Sequence, residues 1–397
     1  MVEITTPVST ELLNSAQFTV DMESQAAQLF QDSYKFEVIT RTLNGGSITA
    51  KNRIHKYRED RLIPSYLTVT NDVAVGASVI PCSTPNVLVK GMVLAWPGYG
   101  MYMVNETTGG GTTPGSVTIL DLNNGAQGGV TLLAIPQGTV LSVLVGVVAE
   151  GAAIPGGVSN TQDDFSTPVQ QFDHVYSHTD WLKWQEKYDQ ATYLATERVK
   201  HWINVKKRKN SALYSSQPTY TVTAAGKLQY TAAGLIWYLR NQEIDCSGVG
   251  GLTVNTLSSW VRPTMQWMTI RPPLMICGAN AMTSISAFGS TLVRIAPGDK
   301  QVYGVEYDRL ILPMCGTCDL MYDQALSPET GGQNLSGRMF ILQSQFTRQI
   351  EMQGMPMVIK TSIQNQTDIH NEIDVITGTF GFELKLPELH VSVKNIQ

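Results

Sequence analysis

Residues 180–213, "DWLKWQEKYDQATYLATERVKHWINVKKRKNSAL", contain neither glycine nor proline. The rest of the chain is interrupted every few residues by one of 34 glycines and 18 prolines. Gly costs about 1 kcal/mol and Pro about 3 kcal/mol in a helix interior, so a run free of both predicts one long helix. At 1.5 Å per residue, a helix over residues 180–209 would span about 45 Å. Trp181, Trp184, Tyr188, Ala191, Ala195, Arg198 or Val199, and Trp202 recur at three-four spacing. They form one aromatic stripe on the helix, and Trp181, Trp184, Tyr188 and Trp202 are its expected packing residues. The run starts on Asp180 and ends on Lys206, Lys207, Arg208 and Lys209, charges that complement the helix dipole. The alternative is a nucleic-acid contact, but no second basic patch with interleaved aromatics supports it. Burying an unpaired ammonium is costly, so Lys206, Lys207 and Lys209 are expected to be at least partly exposed.

Elsewhere the chain avoids charge. Of its 397 residues 43% are apolar and 15% charged, against about 25% charged in an average globular protein. Such a chain must hide much surface, in a core or against other chains. A net charge of -5 argues against a general nucleic-acid binder. The opening "MVEITTPVST" is acidic without an apolar run, unlike a secretory signal. The longest apolar stretch, "TVLSVLVGVVA", is far short of the roughly 20 residues of a membrane helix and reads as a buried strand. The five cysteines, Cys82, Cys246, Cys277, Cys315 and Cys318, are odd in number and scattered, which fits folding in a reducing cytoplasm better than a disulfide framework.

The segments differ in composition. Residues 1–37 carry Glu3, Glu11, Asp21, Glu23, Asp32 and Glu37 against one base, Lys35. They read as an extended acidic arm with a short helix at "SQAAQLFQDSY". Residues 41–61 reverse the sign, with Arg41, Lys51, Arg53, Lys56, Arg58 and Arg61 against Glu59 and Asp60. There "LNGGSITA" suggests a Gly-Gly turn joining two strands into a hairpin. Residues 66–157 hold 16 of the 34 glycines and five charges, Asp72, Lys90, Glu106, Asp121 and Glu150. Short β-rich runs between turn clusters predict a compact all-β unit, a barrel or sandwich. A polar extended stretch, "SNTQDDFSTPVQQFDHVYSH", leads into the long helix. Beyond it, "AAGLIWYLRNQ", "LTVNTLSSWVRPTMQWM" and "AMTSISAFGSTLV" read as helical and "PPLMICG" as a strand. The last hundred residues read as strands. In "FGFELKL", Phe380, Phe382, Leu384 and Leu386 alternate with Gly381, Glu383 and Lys385, the period of a half-buried strand. The fold class is α+β with a small all-β insertion.

Chemical motifs are sparse. "CGTC", with Cys315 and Cys318, has the spacing of a redox pair or half a zinc site. Its flanks read as strands, whereas a redox pair uses a helix N-terminus to lower a thiol's pKa. His174 and His178 stand four apart, as zinc ligands on one helix face do, without a metalloprotease Glu between them, and read as surface or interface residues. "TAAGKLQ" lacks the first Gly and the Ser/Thr of a phosphate loop. No catalytic, cofactor-binding or metal-binding residues are expected.

The order of the parts resembles that of the major capsid proteins of tailed bacteriophages, which share the Hong Kong 97 phage capsid fold. An acidic arm, a basic hairpin, a β insertion, a polar return and a long unbroken helix follow one another, and the resemblance runs from about residue 40 to residue 396. "AEGAAIPGGVSNTQDDF" before the helix, "LTVNTLSSWVRPTMQW", "LMICGANAMTSISAFG", "VYGVEYDRLILPM" and "FGFELKLPELHVSVKNI" look like one branch with a β-rich insertion. The resemblance implies an N-terminal arm (1–40), an elongated-loop stem (41–66 and 155–177) and an insertion (67–154). It implies a peripheral domain with its spine helix (178–219), an axial domain (220–301) and strands shared by the two domains (302–397).

The implied function is structural: a head protein that self-assembles, as hexamers and pentamers, into an icosahedral shell around double-stranded DNA, without cofactor or enzymatic activity. Intersubunit contacts would fall on Glu11, Asp21, Glu23, Arg41, Lys51, Arg53, Lys56, Arg58, Arg61, Lys206, Lys207, Arg208 and Lys209. Implied partners are scaffolding, portal and decoration proteins and packaged DNA held by weak non-specific contact, with no membrane. The protein would fold in the host cytoplasm and end in the virion. The alternatives are another virion component (decoration or tail), a cytoplasmic thiol oxidoreductase using Cys315 and Cys318, and a secreted adhesin.

Overall fold

The computed structural model describes residues 35–42, 47–61, 64–83, 88–108, 115–122, 133–147, 162–179, 193–247, 252–266, 272–288, 294–297, 308–312, 316–327, 334–364 and 371–396. Two units are present: Met1–Tyr57 with Ser166–Gln397, and Arg58–Phe165.

The first unit is organised by a seven-stranded sheet. Its order is Glu243–Asp245, Val391–Lys394, Met339–Leu342, Leu274–Cys277, Gly316–Tyr322, Asp308–Leu312, Arg294–Pro297. Strand side chains alternate between faces, and here both faces are apolar. Leu274, Ile276, Met321, Phe340 and Leu342 join one core, with Leu213 and Tyr214 of the long helix and Phe36, Phe380 and Phe382. Met275, Cys277, Cys318, Leu320, Met339 and Ile341 join another, with Leu257, Trp260 and Val261 of helix Val254–Gln266 and Ala281 and Ile285 of helix Ala279–Ser286. The sheet is therefore the middle of three layers, which explains why its central strands, Leu274–Cys277 and Met339–Leu342, are buried throughout. Gly278, ahead of helix Ala279–Ser286, lies so close to the backbone oxygen of Ser336 that no Cβ would fit.

A second sheet is built around the strand Asn371–Leu384. It pairs antiparallel with Gln170–Thr179, Val358–Gln364 and Thr347–Met352, and the last of these pairs parallel with Ile48–Ala50. Sequence alternation anticipates Phe380, Phe382 and Leu384 as buried. Gly381 and Glu383 are buried too, so this end of the strand is covered on both faces. The alternation stops there, because Leu386 turns into the left-handed region at φ 50° ahead of Pro387.

The second unit contains a six-stranded antiparallel sheet in the order Tyr66–Thr68, Val140–Leu144, Val93–Trp96, Gly100–Thr108, Gly115–Asp121, Val79–Cys82. Leu67, Ile80, Leu94, Tyr102, Ile119 and Leu141, all 0% exposed, form its core. The chain enters and leaves this unit through Ile54–Glu59 and Asp163–Pro168, which pair as a two-stranded ribbon.

Several expectations are corrected. The basic stretch is not a hairpin: Ile48–Ala50 pairs with Thr347–Met352, and Ile54–Glu59 with Asp163–Pro168. Residues 35–40, read as part of an extended arm, lie in helix Lys35–Thr42, which is anchored by buried Phe36, Ile39 and Thr40. "SQAAQLFQDSY" lies outside the described residues. "AAGLIWYLRNQ" keeps a single helical turn, Leu235–Tyr238. Among the described residues of the apolar run at 139–149, the strand covers Val140–Leu144, and Val145 is 90% exposed.

Candidate assembly surfaces

The long helix is described over Tyr193–Ser215. Trp181, Trp184 and Tyr188 lie outside the described residues. Trp202 is half-buried, and from it the stripe continues at three-four spacing through Val205, Lys209 and Leu213, all buried. The Lys206 ammonium lies 6.0 Å from the Trp202 ring centre, at the outer limit of a cation–π contact.

Lys209 is 3% exposed, against the expectation that the basic end faces solvent. The reason is a countercharge from a segment read as arm. Glu37, itself 2% exposed, sits on the short helix Lys35–Thr42, and its Oε1 accepts from Lys209 Nζ at 3.1 Å. Burial lowers the Lys209 pKa, opposed by the charges of Glu37 and Glu351 and by the hydrogen bond to Glu37. Next to the pair, Asn210 Oδ1 accepts from the Glu37 backbone N–H at 2.8 Å, and the Tyr214 hydroxyl donates to Asp323 at 2.7 Å. Burial and the Asp323 carboxylate hold the Tyr214 pKa well above its usual value. Phe36 stacks on Tyr214 with ring centres 4.6 Å apart. The four bases therefore divide: Lys209 fastens the short helix to the long one, Lys206 and Lys207 are half-buried, and Arg208 is exposed. Arg208 Nη1 is 3.4 Å from His174 Nδ1.

The other predicted contact residues are separated by the fold. In the first unit, Arg41 is exposed, 3.6 Å from Glu351, and Lys51, Arg53 and Lys56 are exposed. In the second, Arg58 meets Asp164 at 2.8 Å, and Arg61 meets Glu59 at 2.7 Å and Asp163 at 3.1 Å. Arg58 and Arg61 thus bind acids of the returning segment "TQDDF", the signal the sequence carried for them. Glu11, Asp21 and Glu23 lie outside the described residues.

The residues weighed for chemistry lie on strands where they are described. Cys318 is buried in the strand Gly316–Tyr322 and Cys277 in the adjoining strand, where burial pushes its thiol pKa well up. Cys315 lies outside the described residues. His174 and His178 are on a strand, not a helix, and within the single chain His178 is buried. His174 Nε2 lies 2.9 Å from His201 Nδ1 on the long helix. Burial lowers the His174 pKa, and His201 and Arg208 lower it further. Among the described residues no helix is long and apolar enough to cross a membrane, and no three His, Cys, Asp or Glu residues are placed to hold a metal ion.

The sequence pattern over residues 6–397 makes the class plain: this is a major capsid protein, a structural protein that self-assembles into a shell. Within that class, the chain belongs to the SU10 major capsid protein family. No curated protein matches it. Three solved structures are similar at low identity. A chain of Mycobacterium phage Ogopogo is 10% identical, with 98% of this chain and 99% of that one covered and a TM-score of 0.45. The capsid of the native GTA particle is 7% identical, with 98% and 99% covered and a TM-score of 0.46. The holo-SrpI encapsulin complex of Synechococcus elongatus is 12% identical, with 60% and 77% covered and a TM-score of 0.39. The family assignment rests on the sequence match.

Proposed function

We propose that this chain builds an icosahedral head around phage double-stranded DNA as hexamers and pentamers of itself, in the Hong Kong 97 arrangement. The observation that carries the reading is the family match over residues 6–397. The long helix adds to it: packed against the sheet core through Leu213 and Tyr214, it would serve as the stiff rod of the peripheral domain. In this reading residues 178–219 hold the spine helix, 220–301 the axial domain and 302–397 the shared strands. Residues 41–66 and 155–177 form the stem of the elongated loop and 67–154 the insertion. Exposed Lys51, Arg53, Lys56 and Arg208 contact neighbouring subunits. The acids Glu11, Asp21 and Glu23 reach such bases on an adjacent copy, so residues 1–34 act as an intersubunit arm. Each exposed pair contributes only about 0.2–1 kcal/mol, and repetition over a closed shell multiplies that. With a net charge of -5, the inner wall holds DNA weakly, because phosphate binding needs cations. Scaffolding, portal and decoration proteins are separate chains. The protein folds in the host cytoplasm, ends in the virion and performs no catalysis.

Velocity sedimentation of the purified full chain, beside a chain lacking residues 1–34, tests this. The full chain is expected to sediment as shells and the shortened one as a folded monomer. Normal shells from the shortened chain would contradict the role of the arm.

A further inference from the structure

Along the strand Gln170–Thr179, Phe172, His174 and Tyr176 are half-buried and His178 is buried, while Gln171, Asp173, Val175 and Ser177 between them are exposed. The covered side meets the long helix in a row of three side chains. His174 Nε2 lies 2.9 Å from His201 Nδ1, and His174 Nδ1 lies 3.4 Å from Arg208 Nη1. The Tyr176 ring packs on His201 with ring centres 4.5 Å apart. The row fixes its own hydrogens. A guanidinium only donates, so His174 Nδ1 accepts from Arg208. The neutral His174 ring then carries its hydrogen on Nε2 and donates to His201 Nδ1, and His201 carries its hydrogen on Nε2. Two neutral rings thus satisfy both contacts. A third hydrogen, on either ring, leaves a donor facing a donor at one of the two contacts.

We infer that this row is a latch released by acid, which holds the helix around His201 on the strand while both rings are neutral. The charged groups around it, among the described residues, do not favour an added proton. From the helix, Arg198 and Arg208 bring positive charge, and Glu197 is bound to Lys200 at 2.7 Å. From the strand Asn371–Leu384, Asp374 is bound to Arg198 at 2.7 Å, and the strand Val358–Gln364 presents Ile359 beside His201. Asp173, next to His174 in sequence, is on the exposed side of its strand. Lys209 is paired with Glu37, and His178 and Glu372, 3.8 Å apart, lie beyond Tyr176. Burial lowers the His174 pKa, with His201 and Arg208 adding to it. The contact is therefore intact above the unfolded value near about 6.5 and is lost as pH falls through the folded one. Leu213 and Tyr214 hold the far end of the helix in the core independently, so the release is local. The device belongs to the single chain and does not depend on shell formation.

Hydrogen–deuterium exchange of the full unassembled chain, followed by mass spectrometry between about pH 7.5 and pH 5, tests it. Rates are corrected for the intrinsic pH dependence of amide exchange and referred to the central strand Leu274–Cys277, which cancels changes in global stability. Protection of the helix amides around His201 is expected to fall by roughly tenfold relative to that strand, the effect of about one pKa unit. A His174→Gln/His201→Asn chain puts an amide donor and an amide acceptor in the same places without a titrating group, and should keep its protection. An unchanged profile in the unsubstituted chain, or the same loss in the double variant, overturns the inference. Arg208→Met, at an exposed position, gives a second reading. It removes the opposing donor, so a protonated His174 still donates to His201, and the acid-dependent loss should largely disappear. The full loss in that chain would show that the row does not operate the release and would overturn the inference as well.

Discussion

At the residue scale, Glu37 and Lys209 carry opposite charges in a buried contact between two helices. Breaking a buried pair by removing one partner costs about 3–5 kcal/mol, while replacing both by apolar groups of similar size is often near neutral. Glu37→Leu and Lys209→Met are each expected to destabilise the unassembled chain by about that amount in urea unfolding. The double variant should cost clearly less than their sum. Additive losses would show that the pair is not coupled. His390 provides a pH test. Its buried ring accepts from the Gln343 backbone N–H at Nδ1 (3.1 Å) and faces the Lys385 carbonyl at Nε2 (3.1 Å), a setting for the neutral form. Burial lowers its pKa to about 4. The unfolded chain therefore takes the proton first as pH falls below about 6.5, and stability is lost between there and the folded pKa. The loss from pH 7.5 to pH 5 should be about 2 kcal/mol. A His390→Asn chain, compared over the same range, should lack that increment. An unchanged slope would place the titration elsewhere.

At the scale of elements, the second unit has its own sheet and a core of fully buried side chains. A fragment of residues 58–165 is expected to show a β-type circular dichroism spectrum and a cooperative melt, and a disordered spectrum would contradict an autonomous unit. The long helix and most strands were legible in the sequence because breaker-free runs and alternation report backbone geometry directly. Partnership between segments was less so. Lys206 to Lys209 look alike in sequence, and only the packing of helix Lys35–Thr42 separates Lys209 from the others. Similarly, the basic stretch suggested a hairpin through its Gly-Gly pair, but its strands found distant partners at Thr347–Met352 and Asp163–Pro168. Alternation in "FGFELKL" signalled one buried face. The second is buried because Glu383 finds His55 at 2.8 Å and Lys385 at 3.3 Å. Although burial alone would raise the Glu383 pKa, those two partners hold it below its usual value.

At the scale of the whole molecule, low charge and exposed bases suit a chain that meets copies of itself on several sides. Membership of the SU10 major capsid protein family gives these surfaces a common purpose. The most direct test is negative-stain electron microscopy of the full chain, expressed and purified with no other phage protein or with a scaffolding protein alone. Closed, uniform shells with icosahedral outlines are the expected result. Protein that remains monomeric under both conditions, or forms only irregular aggregates, would contradict the account.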